Sequence, residues 1–449
     1  MSKEYKTAFQ VIMDFHKACG GFHSVERAQA APDRTGISGA HVQRGGCVMA
    51  EFGTPTAQQK TPEPGRIKSV TIEGFRSLKN IQHLELPQLT VLIGANGAGK
   101  STLIRFFEML SWMLKAKNLQ EFVLRHGGGD DQFFMGVRKT SRIHAELCLE
   151  SASGYNEYRF DLAHISAGDS VMVMNEAYRY SAHHIPTKAK WTEIEGVGKE
   201  SSLLEKKSKT GQTIVNLLRQ CSTYQFHDTS INAAIHNRWD VTESFRLRSD
   251  GGNLAAVLLD LRNGDRKRYE LIVKQIGRVL PAFKDFVLEA EAGKVLLRWV
   301  GQQSDKVFGS HLTSDGSLRL FSLLTLLNLP PDRLPDVMFF DEPELGLHPH
   351  AITLVAEMFK RLSKKRQIFI ATQSPYLVDC FELENIIVAS ANNGETVLRN
   401  LPREHYQRWL DEEYQLSDIW LQQAAGGVAW LGDHQPVQRE GSLDAGQVE

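Results

Sequence analysis

The stretch GANGAGKS at residues 94–101 has the spacing G-x-x-x-x-G-K-[ST], and Thr102 follows it. Glycines let a backbone turn tightly, so that successive N–H groups and the N-terminus of a following helix face phosphate oxygens. Gly94, Asn96, Gly97, Gly99, Lys100, Ser101 and Thr102 therefore form a candidate nucleotide-binding set. Lys100 can reach the β- and γ-phosphates, and the Ser101 hydroxyl can ligate Mg²⁺. A second stretch, VMFFDEPELGLHPH at residues 337–350, buries four apolar residues as a strand and brings out Asp341 at its carboxyl end. Ligands bind at that end in open α/β sheets. Asp341 is placed to hold Mg²⁺ through its water shell, and Glu342 to orient or deprotonate an attacking water. His348 and His350 read as a His-Pro turn before a helix rather than as a metal pair.

These groups need elements to hold them. LTVLIG reads as a short buried strand before the glycine loop, KSTLIRFFEMLSWML as a helix after it, and QIFIAT at residues 367–372 as another buried strand. Residues 317–330 and 350–362 have helical spacing. Strands and helices in this alternation imply an α/β fold with a parallel or mixed sheet covered on both faces. TSDGS at residues 313–317 sets a polar turn directly before an apolar helical run, and RSDGGNL at residues 248–254 repeats the pattern. Ser249 reads as a helix cap.

The organisation expected along the chain has five parts. Residues 1–65 are rich in Gly, Ala, Pro and Gln and read as disordered or as an extension, with Met49 a candidate start. Residues 66–200 form a first lobe with the phosphate loop, 201–310 a mostly helical insert, 311–425 a second lobe, and 426–449 a disordered tail. The chain has 449 residues, 52 basic and 53 acidic side chains, and a net charge of −1, which excludes a surface coated in positive charge. Arg262, Arg266, Lys267 and Arg268 are the candidate local patch for DNA. Five scattered cysteines without a CxxC pair suggest neither a disulfide framework nor a zinc site, so a reducing cytoplasm is expected. No apolar run approaches the roughly 18 residues of a membrane span.

IEGFRSLKNI, LIGANGAGKSTLI, FMGVRKT, FHDTS, LRSDGGNLAAVLLDL, SDGSLRL, DEPELGLHPHAI and ATQSPYLVD together resemble the ABC-type ATPases of the RecF, SMC and OLD group. The likeness is closer still to a bacterial family of predicted ATPases, and it covers about residues 66–425. It implies a P-loop NTPase fold of ABC-ATPase type, ATP and Mg²⁺ as ligands, and ATP hydrolysis. It also implies a homodimer or higher even oligomer, in which Ser314 of one subunit contacts the γ-phosphate held by the loop of the other. Gln373 fills the place of the switch histidine of transporter ATPases, and Gln132 is a candidate for the magnesium-linked glutamine. Sustained heptads are missing, so no long coiled coil is expected, and the residues after Gln373 contain no complete nuclease. The process implied is DNA repair or anti-phage defence with a separate nuclease or other effector. A transporter's nucleotide-binding subunit and a switch with little hydrolysis are the alternatives. The large insert weighs against the first, and an intact Glu342 against the second.

Overall fold

Short apolar runs bounded by Gly, Pro or charged residues become strands. The computed structural model describes residues 65–184, 189–401, 403 and 415–418. The first strands are β1 (Arg66–Phe75), β2 (Leu78–Glu85), β3 (Leu89–Ile93), β4 (Arg142–Ser151), β5 (Gly154–Ile165), β6 (Ser170–Ala182) and β7 (Thr192–Ile194). Helices α1 (Lys100–Ala116) and α2 (Leu119–Arg125) separate β3 from β4. Then come α3 (Lys209–Arg219), β8 (Cys221–Tyr224), α4 (Leu254–Gly264), α5 (Arg266–Val279) and α6 (Asp315–Leu327). The chain continues as β9 (Val337–Asp341), α7 (Pro349–Ser363), β10 (Gln367–Thr372), α8 (Pro375–Val378), β11 (Ile386–Asn392) and β12 (Glu395–Asn400).

Strands β12-β11-β3-β10-β9-β8 form one six-stranded sheet, parallel except for the antiparallel edge strand β12. This is the mixed, largely parallel core that the alternation of elements implied. Strands β2-β1-β4-β5-β6-β7 form a second, antiparallel sheet.

The period-2 alternation of side chains divides the core sheet between two hydrophobic clusters. Met338, Phe340, Ile368, Ile370 and Val91 face α4 to α7. Val337, Phe339, Phe369, Ala371 and Leu92 face α1 to α3 and the antiparallel sheet. A strand buried on both faces has no polar side to misplace, which is why β9 and β10 read as continuous apolar runs. Phe107 of α1 stacks on Phe339 with ring centroids 4.8 Å apart, and Phe339 stacks on Phe369 at 4.6 Å. These rings seat the helix that follows the glycine loop against the strand that ends in Asp341.

The stretch 201–310 differs from a mostly helical insert. It holds α3, which joins the cluster of the antiparallel sheet, and β8, which pairs in parallel with β9 at the edge of the core sheet. It also builds two small antiparallel sheets, one from Phe283–Phe286, Arg298–Gly301 and Ser304–Gly309, the other from Trp239–Asp240, Ala290–Glu291 and Lys294–Val295. Helical spacing extends only over α3, α4 and α5, and the aromatic residues that follow pair across strands instead. The expectations for residues 1–64, including Met49, and for 426–449 fall outside the described residues. Among the described residues no helix is long and apolar enough to cross a membrane.

Phe339 is 1% exposed and touches rings from a helix and a neighbouring strand. Phe339→Ala is expected to destabilise the fold by about 3–5 kcal/mol, the usual cost of an emptied aromatic site. Denaturant unfolding beside the wild type measures it, and an unchanged midpoint would show that these rings do not hold α1 in place.

Candidate functional site

The loop leaves β3 at Gly94, where a Cβ would lie 2.2 Å from the Ala389 carbonyl oxygen. Gly99 sits at the N-cap of α1 with φ 91°, and a Cβ there would come within 1.8 Å of Thr396 Oγ1. Both positions therefore require glycine. Asn96 and Gly97 are exposed at the tip. Lys100 is 5% exposed, and its Nζ donates to the carbonyls of Gly94 at 2.7 Å and Ala95 at 3.1 Å. Burial pushes the Lys100 pKa down, against the opposing pull of Glu342, Asp341 and Glu344. The Thr102 hydroxyl accepts from Ser77 Oγ at 3.1 Å.

The sheet register brings the second group of residues to the same edge. Asp341 pairs with Ala371, and Thr372 with Ile93, the residue before Gly94. Asp341 Oδ1 accepts from Ser101 Oγ at 3.2 Å, across 240 positions of sequence. Burial raises the Asp341 carboxyl above its usual range, and the Ser101 bond and the neighbouring His227 and Lys100 act the other way. Glu342 takes a left-handed backbone, φ 44°, and its N–H donates to Ala371 O at 2.8 Å. The Gln373 amide donates to Glu342 Oε1. The expected loop, strand-end and switch residues thus meet in one place.

Ser101 Oγ and Asp341 Oδ1 supply two hard oxygen donors. Such a pair suits Mg²⁺, which takes one or two protein ligands and fills its shell with water and phosphate. Among the described residues no group of three or more His, Cys, Asp or Glu side chains offers a fuller metal cage.

Other expected residues lie elsewhere. Ser314 is the exposed N-cap of α6, where its Oγ accepts from Ser317 N–H at 3.3 Å and lies 2.8 Å from Ser317 Oγ. No hydrogen bond among the described residues joins it to the loop or to Asp341 within the chain. Gln132 is 1% exposed, and its amide is spoken for: Oε1 accepts twice from Arg76, at 3.0 and 3.1 Å, and Nε2 donates to the carbonyls of His126 and Gly128. It has no group left for magnesium. Ser249 is not a cap, because the turn at Gly251 and Gly252 carries the chain on to Asn253, which takes the N-cap position of α4. His348 caps α7, with its ring accepting from His350 N–H, as a structural His-Pro turn does.

Sequence reasoning passed over several groups at the site. Gln225 Nε2 reaches Asp341 Oδ2 at 3.4 Å, and the His227 ring is bonded to the Asp341 carbonyl at 2.7 Å. Arg319 of α6 donates to the carbonyls of Phe226, His227 and Leu345, tying the start of that helix to the loop after Glu342. Their only signal was polar residues just past an edge strand and one arginine in an apolar helix.

Residues 89–379 match the family described as "AAA domain, putative AbiEii toxin, Type IV TA system". The chain belongs to that family. Its matched span holds the loop, Ser314, Asp341, Glu342 and Gln373, so the likeness to ABC-type ATPases carried by those motifs stands. Similar solved structures include an SMC head bound to the C-winged helix domain of ScpA, with 15% identity, TM-score 0.49, and 76% of this chain and 99% of that one covered. The SMC head domain from Thermotoga maritima follows, with 14% identity, TM-score 0.40, and coverage of 75% and 99%. An Smc head with an extended coiled coil, bound to the C-terminal domain of ScpA derived from Pyrococcus furiosus, has 14% identity, TM-score 0.47, and coverage of 78% and 99%. No curated protein matches the chain.

Lys100 is the cation within the glycine loop and is enclosed by its carbonyls. Lys100→Ala is expected to abolish ATP binding in a calorimetric titration, and undiminished affinity would separate this loop from nucleotide.

Proposed function

We propose that the chain binds ATP with Mg²⁺, dimerises around the nucleotide and hydrolyses it to ADP and phosphate. The observation that carries this is the Ser101–Asp341 contact, which closes the phosphate loop against the end of β9, the DE strand that leads into Asp341 and Glu342. The loop N–H groups and Lys100 hold the phosphates, and Ser101 and Asp341 hold Mg²⁺. The metal would neutralise phosphate charge. Glu342, fixed by its left-handed backbone and by Gln373, takes a proton from water as the water oxygen bonds to the γ-phosphorus and the bond to the bridging oxygen breaks. Gln373 orients water or a γ-phosphate oxygen; an amide does not titrate near neutral pH, so this switch is insensitive to it.

Ser314 completes the site from a second copy of the chain. Its hydroxyl is exposed at the N-terminus of a 13-residue helix, whose free N–H groups and dipole favour a polyanion. The turn abuts the DE loop, since a Cβ on Gly316 would lie 2.3 Å from Gly346 O. Leu312 and Leu345 are exposed apolar side chains next to these positions in sequence, at 67 and 43%, and Tyr376, three residues after Gln373, is exposed at 66%. They suit an interface. The setting we propose is cytoplasmic, in DNA repair or anti-phage defence beside a separate nuclease or other effector. The family's description, which names a toxin of a Type IV TA system, supports the defence side. The basic cluster does not add support for DNA: Arg262, Arg266 and Arg268 are bonded to Leu288 O, Glu270, and Asp265 with Asn328 O.

Glu342→Gln is expected to bind ATP normally and to hydrolyse it at least ~100-fold more slowly, the loss typical of a missing general base. Steady-state turnover beside a binding titration reads both, and near-normal turnover would move the proton-accepting role elsewhere.

Composite assembly is tested by mixing Ser314→Arg with Lys100→Ala. In a mixed dimer with Ser314 acting across the interface, the intact loop of one subunit meets the intact Ser314 turn of the other, and activity returns. With Ser314 acting within its own subunit, each site keeps a lesion and the mixture stays dead. Mass spectrometry confirms that mixed dimers are present, and no rescue in such a sample would overturn the composite site.

A further inference from the structure

Two carboxylates beyond Asp341 reach the end of β10, and the hydrolysis reading uses only Glu342. Glu344 follows Pro343, and Thr372 Oγ1 donates its proton to Glu344 Oε1. Thr372 is fully buried, and its Cα partner is Ile93, one residue before the phosphate loop. The same Oγ1 accepts the N–H of Ser374 at 2.9 Å. Thr372 and Ser374 are thereby fixed on either side of Gln373, whose amide reaches Glu342. Glu344 Oε2, in turn, is enclosed by protein without a hydrogen bond of good geometry among the described residues, although the backbone N–H groups of Glu344 and Gln373 lie beside the carboxylate and act to hold its pKa down. Burial pushes the Glu344 carboxyl upward, and the Glu342 charge adds to that. An enclosed carboxyl with one unmatched oxygen costs stability, and an apolar side chain of similar volume would fill the space without that cost. Its use lies in the bond to Thr372.

We infer that Glu344 is a positioning residue for hydrolysis, holding the Thr372–Ser374 turn so that the Gln373 amide meets Glu342. The inference rests on Glu342 and Gln373 acting in hydrolysis as proposed above. Glu344 touches neither nucleotide nor water in this role. It acts through one acceptor oxygen and one hydroxyl. Glutamine keeps an acceptor there, whereas alanine does not.

The test combines turnover, ATP affinity and amide exchange in the full chain. Glu344→Ala is expected to lower kcat about tenfold or more while the ATP Kd stays within about twofold, the pattern of an interaction that serves the reaction and not binding. Glu344→Gln should stay within about threefold of wild type. Thr372→Val should match Glu344→Ala, Thr372→Ser should restore activity, and the double variant Glu344→Ala/Thr372→Val should be no slower than the worse single one. Hydrogen exchange of the Ser374 amide should accelerate in Glu344→Ala and Thr372→Val and stay slow in Glu344→Gln. If Glu344→Ala does not fold, the Thr372→Val and Thr372→Ser pair reads the same link from the other side.

Wild-type kcat with unchanged Ser374 exchange in Glu344→Ala would overturn the inference. So would a parallel loss of ATP affinity, which marks a merely structural role, or a Glu344→Gln as slow as Glu344→Ala, which marks a role for the charge. Failure of the hydrolysis reading looks different. Wild type and Glu342→Gln would then turn over ATP alike, while Ser374 exchange would still report whether Glu344 holds the turn.

Discussion

Everything at this site depends on the register of three parallel strands, β9, β10 and β3. Two-sided burial fixes that register, because sliding one strand by a single residue would exchange every side chain between the two hydrophobic clusters. Phe339 would leave its stack with Phe107 and Phe369, and Met338 would enter it. With the register locked, Asp341, Thr372 and Ile93 end at one level. The loop, the two carboxylates after the apolar run and the switch glutamine then have nowhere to go but the same edge. Packing between aromatic rings is thus what sets a hydrogen bond between residues 240 positions apart.

Three of the charged groups at that edge are held in unfavourable surroundings. Burial raises the carboxyls of Asp341 and Glu344 and lowers the ammonium of Lys100, so each group's charged form is disfavoured. Each is offset in part by a neighbour: Ser101 for Asp341, Thr372 for Glu344, and the loop's own carbonyls for Lys100. A divalent cation relieves the carboxylate side and a phosphate relieves the lysine side. In this respect the edge suits the nucleotide and Mg²⁺ proposed for it.

How much of this was legible in the sequence follows from how local each constraint is. The phosphate loop is local in its pattern, G-x-x-x-x-G-K-S between a strand and a helix that their spacing announces, although the close approaches that demand Gly94 and Gly99 come from Ala389 and Thr396. The DE strand is equally local. The Gln132 candidacy fails on a commitment that is partly tertiary, made by Arg76 just past the distant strand β1 together with the nearby carbonyls of His126 and Gly128. Ser249 was misread because two glycines after it lengthen the turn, and a sequence pattern does not show where the helix then begins. The stretch 201–310 was read as mostly helical because its helices are strongly periodic and its strands are short. Whether CSTY forms β8 depends on β9 being there to pair with it. Gln225, His227, Arg319 and Glu344 become visible only when chain segments far apart in sequence are brought together.

The interwoven insert takes part in building the site. It is bonded to the Asp341 end through Gln225 and His227, which follow the edge strand β8. It also reaches the start of α6, where Trp299 of the small antiparallel sheet donates to Thr313 Oγ1 at 2.9 Å, next to Ser314. Arg319 closes the circuit by tying α6 back to Phe226 and His227. On the composite-site reading, one half of the chemistry lies in the core sheet and the other in an exposed turn. Among the described residues the insert has bonds to both, as does the loop after Glu342 through Leu345 and Arg319. The insert is thereby bonded to the Asp341 end through His227 and to the turn that carries Ser314 through Trp299, so neither half of the site is built by the core sheet alone.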